Sequence, residues 1–294
     1  LTASVLASAV FTLQHHVPVM WRKLIAEFIG TFMITWIVAL TDNSASSNGF
    51  LALGFVTASM VYSTRHQSGG YLNPSVTLGV YIRGLLEKPQ VILLWECLLF
   101  MLVQLTAAFA AAGTAVYVND GVSKIANPIV NTEFYTDNAA FVIQAMFSFA
   151  LVLTVLHTAT NSPYIKHDDY FGIAIGFMTA GCAMSYGDVS GGSVNPAVSS
   201  SLMFITNSHV DQIWIYLIGD FLGAVVAAGM YYVWWGTYAD NRSTSRVVQE
   251  LPYSRNYSHE GFQDLKYNTD FSSSALLGGD NRENAYNPVS HDYP

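Results

Sequence analysis

The stretch Ser68-Gly69-Gly70-Tyr71-Leu72-Asn73-Pro74-Ser75-Val76 is written a second time, as Ser190-Gly191-Gly192-Ser193-Val194-Asn195-Pro196-Ala197-Val198. Six of the nine positions match, at identical spacing. Each copy has a glycine-rich approach, an Asn suited to a helix N-cap, and a Pro suited to the first helical position. The apolar run after each, Val76 to Arg83 and Val198 to Phe204, is far below the roughly 20 residues a bilayer-crossing helix needs. Each copy is therefore read as leading into a re-entrant half-helix. Single Asn-Pro turns are common on protein surfaces. Two of them on the same Ser-Gly-Gly lead, each set between long apolar segments, form an internal repeat.

The composition agrees. Of 294 residues, 52% are hydrophobic and 11% charged, which is too little charge for an ordinary soluble domain and points to a membrane protein. The net charge of −8 resides mostly in loops and the C-terminal stretch, and no basic cluster suggests nucleic acid. Cys97 and Cys182 both fall in apolar segments, so they form neither a disulfide framework nor a metal-binding spacing.

Residues 1–21 are moderately apolar but lack the charged start and cleavage site of a signal peptide. Leu6, Val10, Leu13 and Val17 recur at helical spacing and fit a short amphipathic helix on a cytosolic N-terminal segment. Six membrane-length segments follow, near Leu24–Leu40, Phe50–Tyr62, Ile92–Tyr117, Ala139–Thr158, Tyr170–Tyr186 and Ile213–Trp235. They define a channel-like domain over 22–236 with repeats at about 22–118 and 138–236. Residues 237–294 turn polar and rich in Asn, Ser, Asp and Tyr, and are read as a disordered cytosolic tail.

Basic residues set the orientation. With a cytosolic N-terminus, eleven of the twelve Lys and Arg fall in inner segments and only Lys124 lies outside, a strong positive-inside bias. One half-helix then enters from the cytosol and the other from the opposite side. An odd number of spans per half makes this an inverted repeat. Glu27 in the first span matches Gln144 in the fourth by position. An ionisable residue within a span is costly and needs a partner. Glu27 is assigned as acceptor for backbone N–H groups of a re-entrant approach, which has no water to satisfy it, with Gln144 doing similar work as a neutral group.

Two Asn-Pro-small boxes on inverted three-span repeats, with Glu27 in the first span, resemble the aquaporins, the major intrinsic proteins. The resemblance covers about Trp21 to Trp235. It implies an all-α fold of six tilted transmembrane helices plus two re-entrant half-helices, one pore per subunit, and a homotetramer in the lipid bilayer. It also places Asn73, Pro74, Ser75, Asn195, Pro196 and Ala197 at the pore midplane. There two half-helix N-termini, each worth about half a positive charge, would face one point and repel cations. The two asparagines would donate to passing water and so interrupt proton hopping, as in that family's pores. Carbonyls of Gly69 to Leu72 and Gly191 to Val194 would form a ladder of acceptors, with glycine freeing the backbone to line the channel.

The departures from the family pattern concern selectivity. After the second box the family usually has Arg, and here stands Val198. The remaining filter positions are Leu53, Gly192, and either Ala183 or Cys182. Such a ring is uncharged, small and apolar, so the expected pore is wider than a strict water filter. Ser75 replaces the usual Ala, Tyr71 stands where many members have His, and Ser199 stands where glycerol facilitators usually have Asp.

The expected function is passive conduction of water, with small neutral solutes such as glycerol, urea or peroxide, and exclusion of ions and protons. Two alternatives are a secondary transporter, since these also use inverted repeats, and a structural or adhesive membrane protein with a vestigial pore. Against the transporter, no paired acids or proton relay stand out in the spans. No nucleophile–base pair or metal cluster assembles, so neither an enzyme nor a cofactor is expected. A candidate cytosolic gate is the loop around Tyr164, Ile165, Lys166 and His167, whose bulky apolar pair follows Pro163. The expected location is a plasma or internal membrane, with both termini cytosolic.

Overall fold

The computed structural model describes residues 19–41, 47–86, 91–160 and 169–244, with side chains as far as 234. The chain divides into a unit covering 1–239 and a second covering 240–294, of which only a few helical residues are described. The N-terminal helix expected before residue 18 and the gate residues Tyr164, Ile165, Lys166 and His167 lie outside the described residues, as does the tail from 245 onward.

The first unit is built from helices, with no strand among its described residues: α1 (Val19–Leu40), α2 (Ser47–Ser68), α3 (Pro74–Leu86), α4 (Leu94–Val118), α5 (Asp137–Thr158), α6 (Phe171–Ser190), α7 (Pro196–Thr206) and α8 (Ile213–Thr244). Of these, α3 and α7 are the half-helices, 13 and 11 residues long. The other six are the spans. Most extend beyond the stretch read from hydropathy, α2 to Ser68 and α6 to Ser190, right up to the two glycine approaches. α8 is helical to Thr244, so the polar stretch from 237 begins inside a helix.

Four spans are apolar enough along their length to mark themselves as membrane-crossing; α2 and α6 are not among them. Both carry polar residues along their length, Asn48, Ser59, Ser63 and Arg65 on α2 and Ser185 and Asp188 on α6. α2 and α6 meet face to face through small residues. A Cβ added to Gly54 would lie 2.7 Å from the Gly176 carbonyl oxygen, and one added to Gly176 would lie 2.5 Å from the Gly54 carbonyl oxygen. Such close crossing is how helices associate in lipid, where the hydrophobic effect gives little help. The seam is accordingly made of Gly and Ala. The backbones cannot yield, so Gly176→Val is expected to separate the helices. The check is yield and melting temperature in detergent, with a loss of at least about 1–3 kcal/mol from overpacking.

The repeats interlock. Each half-helix packs on a span of the other repeat, α3 on α5 and α7 on α4. At one end of the bundle, Lys23 Nζ on α1 lies 2.9 Å from Glu96 Oε1 at the start of α4. Both residues occupy the same membrane face in the inverted arrangement, so the pair closes that end of the first repeat.

Candidate functional site

The half-helices start where the sequence places them. The Asn195 side chain caps α7 by accepting the Ala197 N–H at 3.1 Å, and Asn73 accepts the Ser75 N–H at 2.9 Å and the Ser75 hydroxyl at 2.8 Å. Each approach turns through left-handed backbone. Gly69, Gly70, Gly191 and Gly192 have φ of 106°, 63°, 77° and 73°, and Leu72 joins them at 53°. For Gly191 there is no alternative residue: a Cβ would sit 2.6 Å from Pro128 Cα, on top of the positive φ.

The two boxes are locked to each other. Asn73 Nδ2 donates to the Val194 carbonyl at 2.8 Å, and Asn195 Nδ2 donates to the Leu72 carbonyl at 3.0 Å. An asparagine amide has two N–H bonds. One of each is spent across the repeat boundary. The same bonds engage Leu72 and Val194, two of the carbonyls expected to serve passing solute, at one of each oxygen's two lone pairs.

Behind the first approach lies Glu27, fully buried. Its Oε1 accepts the Tyr71 N–H at 3.1 Å and the Ser68 hydroxyl, and its Oε2 accepts the Leu72 N–H at 2.7 Å. Gln104 on α4, also fully buried, adds its Nε2 to Oε2 at 2.8 Å. Gln144 meets the second approach with opposite polarity. Rather than accepting backbone N–H groups, its Nε2 donates to the Ser193 carbonyl and to Asp220 Oδ1 at 2.9 Å, while its Oε1 accepts the Ser190 hydroxyl at 3.2 Å. Gln104 and Asp220 went unnoticed in the sequence. A buried Asp in the sixth span was itself a signal, since an intramembrane acid needs a partner.

A cavity of about 40 Å³ runs through this region, room for roughly three waters at 10–15 Å³ each. Both asparagines, Tyr71, Ser193 and Val194 line it, and the facing wall is apolar: Ile34 and Val38 on α1, Leu53 and Val61 on α2, Leu151 and Val155 on α5. Of the expected filter residues, Leu53 and Val198 line this cavity; Cys182, Ala183 and Gly192 do not. The Cys182 thiol turns to the Phe147 carbonyl on α5 at 3.9 Å. Ala183 backs directly on Gly192, where an added Cβ would lie 3.0 Å from Ala183 Cα. Of the two sixth-helix candidates, Ala183 is thus the one beside the second approach. No group of three His, Cys, Asp or Glu able to hold a metal occurs among the described residues.

Paired half-helices capped by asparagine, joined head to head and bordering a cavity inside six spans, define a membrane channel of inverted-repeat type. The chain belongs to the major intrinsic protein family, whose family model matches residues 14–232. It is 26% identical over 213 residues to "Glycerol uptake facilitator protein-like 6" of Lactiplantibacillus plantarum, covering 70% of this chain and 95% of that protein. It is 30% identical over 246 residues to "Aquaporin NIP1-1" of Zea mays, covering 80% of each. Among solved structures, the aquaglyceroporin from Plasmodium falciparum shares the fold with a TM-score of 0.60 at 20% identity, over 72% of this chain and 96% of that one. The protein is thus an integral membrane channel for water or small solutes.

Proposed function

We propose that the pore conducts water together with small neutral solutes, glycerol and urea among them, and excludes ions and protons. The observation that carries this reading is the wall of the cavity. Its polar groups come from the two boxes and their approaches, apart from the hydroxyl-bearing Thr57 and Thr179, and the rest is aliphatic. Val198 lines it where the family usually places Arg, so a fixed charge and its bulk are missing from the mouth. Glycerol, with hydroxyls on one edge and carbon on the other, fits such a two-sided lumen. The names of relatives on both the water and glycerol sides of the family support the same breadth. The pore belongs to one subunit of a homotetramer, with both termini cytosolic as the distribution of Lys and Arg indicates. Stopped-flow swelling and shrinking of vesicles reconstituted with the whole chain, against water, glycerol, urea and peroxide, tests the reading. Water flux well above lipid with none of the three solutes following would refute the permissive filter.

Exclusion of charge rests on the joined half-helix N-termini and the asparagine locks. Asn73→Asp removes the Nδ2 donor and sets a carboxyl oxygen against the Val194 carbonyl, now 2.8 Å from that nitrogen. It also places negative charge where the two helix ends are positive. Proton leak, followed with an entrapped pH dye, is expected to rise by about tenfold or more. Asn195→Asp should behave alike through Leu72. A leak unchanged by both substitutions would place the barrier elsewhere.

A further inference from the structure

The two repeats secure their approaches with the same pair of groups, set the other way round. In the first repeat the acid is on the first helix and the carboxamide on the third: Glu27 on α1 and Gln104 on α4, joined at 2.8 Å across 77 residues. In the second the carboxamide is on the first helix and the acid on the third: Gln144 on α5 and Asp220 on α8, joined at 2.9 Å across 76 residues. All four side chains are fully buried. The last residue of the preceding span completes each set, Ser68 donating to Glu27 and Ser190 to Gln144.

The exchange alters what each approach is offered. Glu27 offers oxygens, and takes the N–H groups of Tyr71 and Leu72. Gln144 has one oxygen and one nitrogen and can lie either way round. In the observed orientation the oxygen takes Ser190 and the nitrogen holds the Ser193 carbonyl. The groups around Gln144 Nε2 are the Ser193 oxygen and Asp220 Oδ1, so the reversed amide would set oxygen against oxygen. Asp220 is poorly placed to serve stability alone. Its Oδ2 is buried with no hydrogen-bond partner among the described residues, a cost that an apolar side chain would avoid.

We propose that Asp220 is the positioning acid of the second repeat: by fixing the orientation of Gln144 it holds the Ser193 carbonyl and so sets the shape and polarity of the second approach. This rests on the channel reading, because the approach is taken to be part of the pore wall. Ser193 itself lines the cavity, so a shift of its backbone alters the lumen directly. The first approach keeps its N–H groups tied back and the second keeps a carbonyl tied back, and the two ends of the pore therefore present different hydrogen-bonding edges to the same solute.

The test is an exchange of groups within the second repeat, using the full chain in four forms: wild type, Asp220→Asn, Gln144→Glu, and the two together. Water and urea permeability in vesicles and melting temperature in detergent are read on each, at equal protein content. Asp220→Asn frees the amide to reverse, and water permeability should fall by about threefold with a changed urea-to-water ratio. Gln144→Glu sets two acids face to face in a buried site, and a loss of about tenfold or more is expected, with a lower melting temperature. The double variant has one acid and one amide again, but the carboxyl brought to position 144 offers no N–H to the Ser193 carbonyl. It should recover much of the melting temperature lost in Gln144→Glu, while water permeability stays at least about threefold below wild type. A double variant with wild-type water permeability, or an Asp220→Asn protein with wild-type permeability, ratio and melting temperature, overturns the proposal. If no form, wild type included, conducts above lipid while the melting temperatures follow the pattern, the channel reading fails and the pairing stands. If a single variant cannot be purified, recovery of its yield in the double variant supports the pairing and failure to recover refutes it.

Discussion

Val198→Arg is expected to cut glycerol and urea passage by about tenfold or more while water falls by no more than about threefold, a difference of roughly 0.7 kcal/mol or more between the barriers. Val198 is the third residue of α7, 2% exposed, and lines the cavity with Leu53. Its isopropyl group is short and carries no hydrogen-bonding atom. An arginine would bring a long stem, five N–H donors and a permanent charge to the same point. A guanidinium in an apolar wall must find acceptors or stay solvated in the lumen. Either way the long side chain takes up lumen space, which should hinder a three-carbon polyol more than water. Val198→Leu separates the two contributions, since it adds bulk without charge. Leu should slow glycerol and urea by a smaller factor and leave the response to a membrane potential unchanged. Equal solute rates in wild type and Val198→Arg, at equal protein content, would show that the narrowest point lies elsewhere.

How much of this was visible beforehand depended on whether a residue has a backbone meaning. Asn-Pro preceded by two glycines can do few things, and the boxes at Asn73 and Asn195 start half-helices at the prolines. Glu27 stood out because charge in an apolar run is costly. Gln104 and Asp220 did not, though they repeat the spacing between the spans. A single polar residue in a 25-residue apolar helix such as α4 hardly moves its average hydropathy, and only aligning the two repeats exposes the pairing. Hydropathy stops short of the ends of α2 and α6 because those ends are mostly polar, Ser63 to Ser68 and Gly187 to Ser190. Cys182 and Ala183 could not be separated by spacing, since adjacent residues point about 100° apart on a helix and either could have met Gly192. The cross-repeat bonds of the asparagines were invisible for a different reason: they join residues more than 120 positions apart through backbone carbonyls, which carry no sequence signal.

Glu27→Leu is expected to abolish conduction and lower the yield of folded protein sharply, and Glu27→Gln to do part of this despite being nearly the same shape. With leucine, the N–H groups of Tyr71 and Leu72 and the Gln104 amide lose their acceptor in a site that is completely buried. Each orphaned donor costs about 1–3 kcal/mol, so the sum is comparable with the whole stability of a typical domain. Leu72 makes matters worse because it already sits at a left-handed φ of 53°, a conformation its neighbours must impose. Without the bond to Glu27, little holds the Leu72 carbonyl toward Asn195, and the lock between the two boxes loosens with it. Glutamine fails for a narrower reason. Oε1 faces the Tyr71 N–H and Oε2 faces the Leu72 N–H, so an amide placed either way turns its own N–H against a backbone donor. Gln144 tolerates its amide because Ser193 meets it with a carbonyl and Asp220 with an oxygen; at Glu27 the facing oxygen is the Ser68 hydroxyl, already taken by the Gly70 N–H, and each carboxyl oxygen also meets a backbone N–H. The expected order of water permeability in vesicles at equal protein content is therefore wild type, then Glu27→Gln, then Glu27→Leu at the lipid background. Glu27→Gln with wild-type permeability and melting temperature would mean that the carboxyl is not what holds the first approach in place.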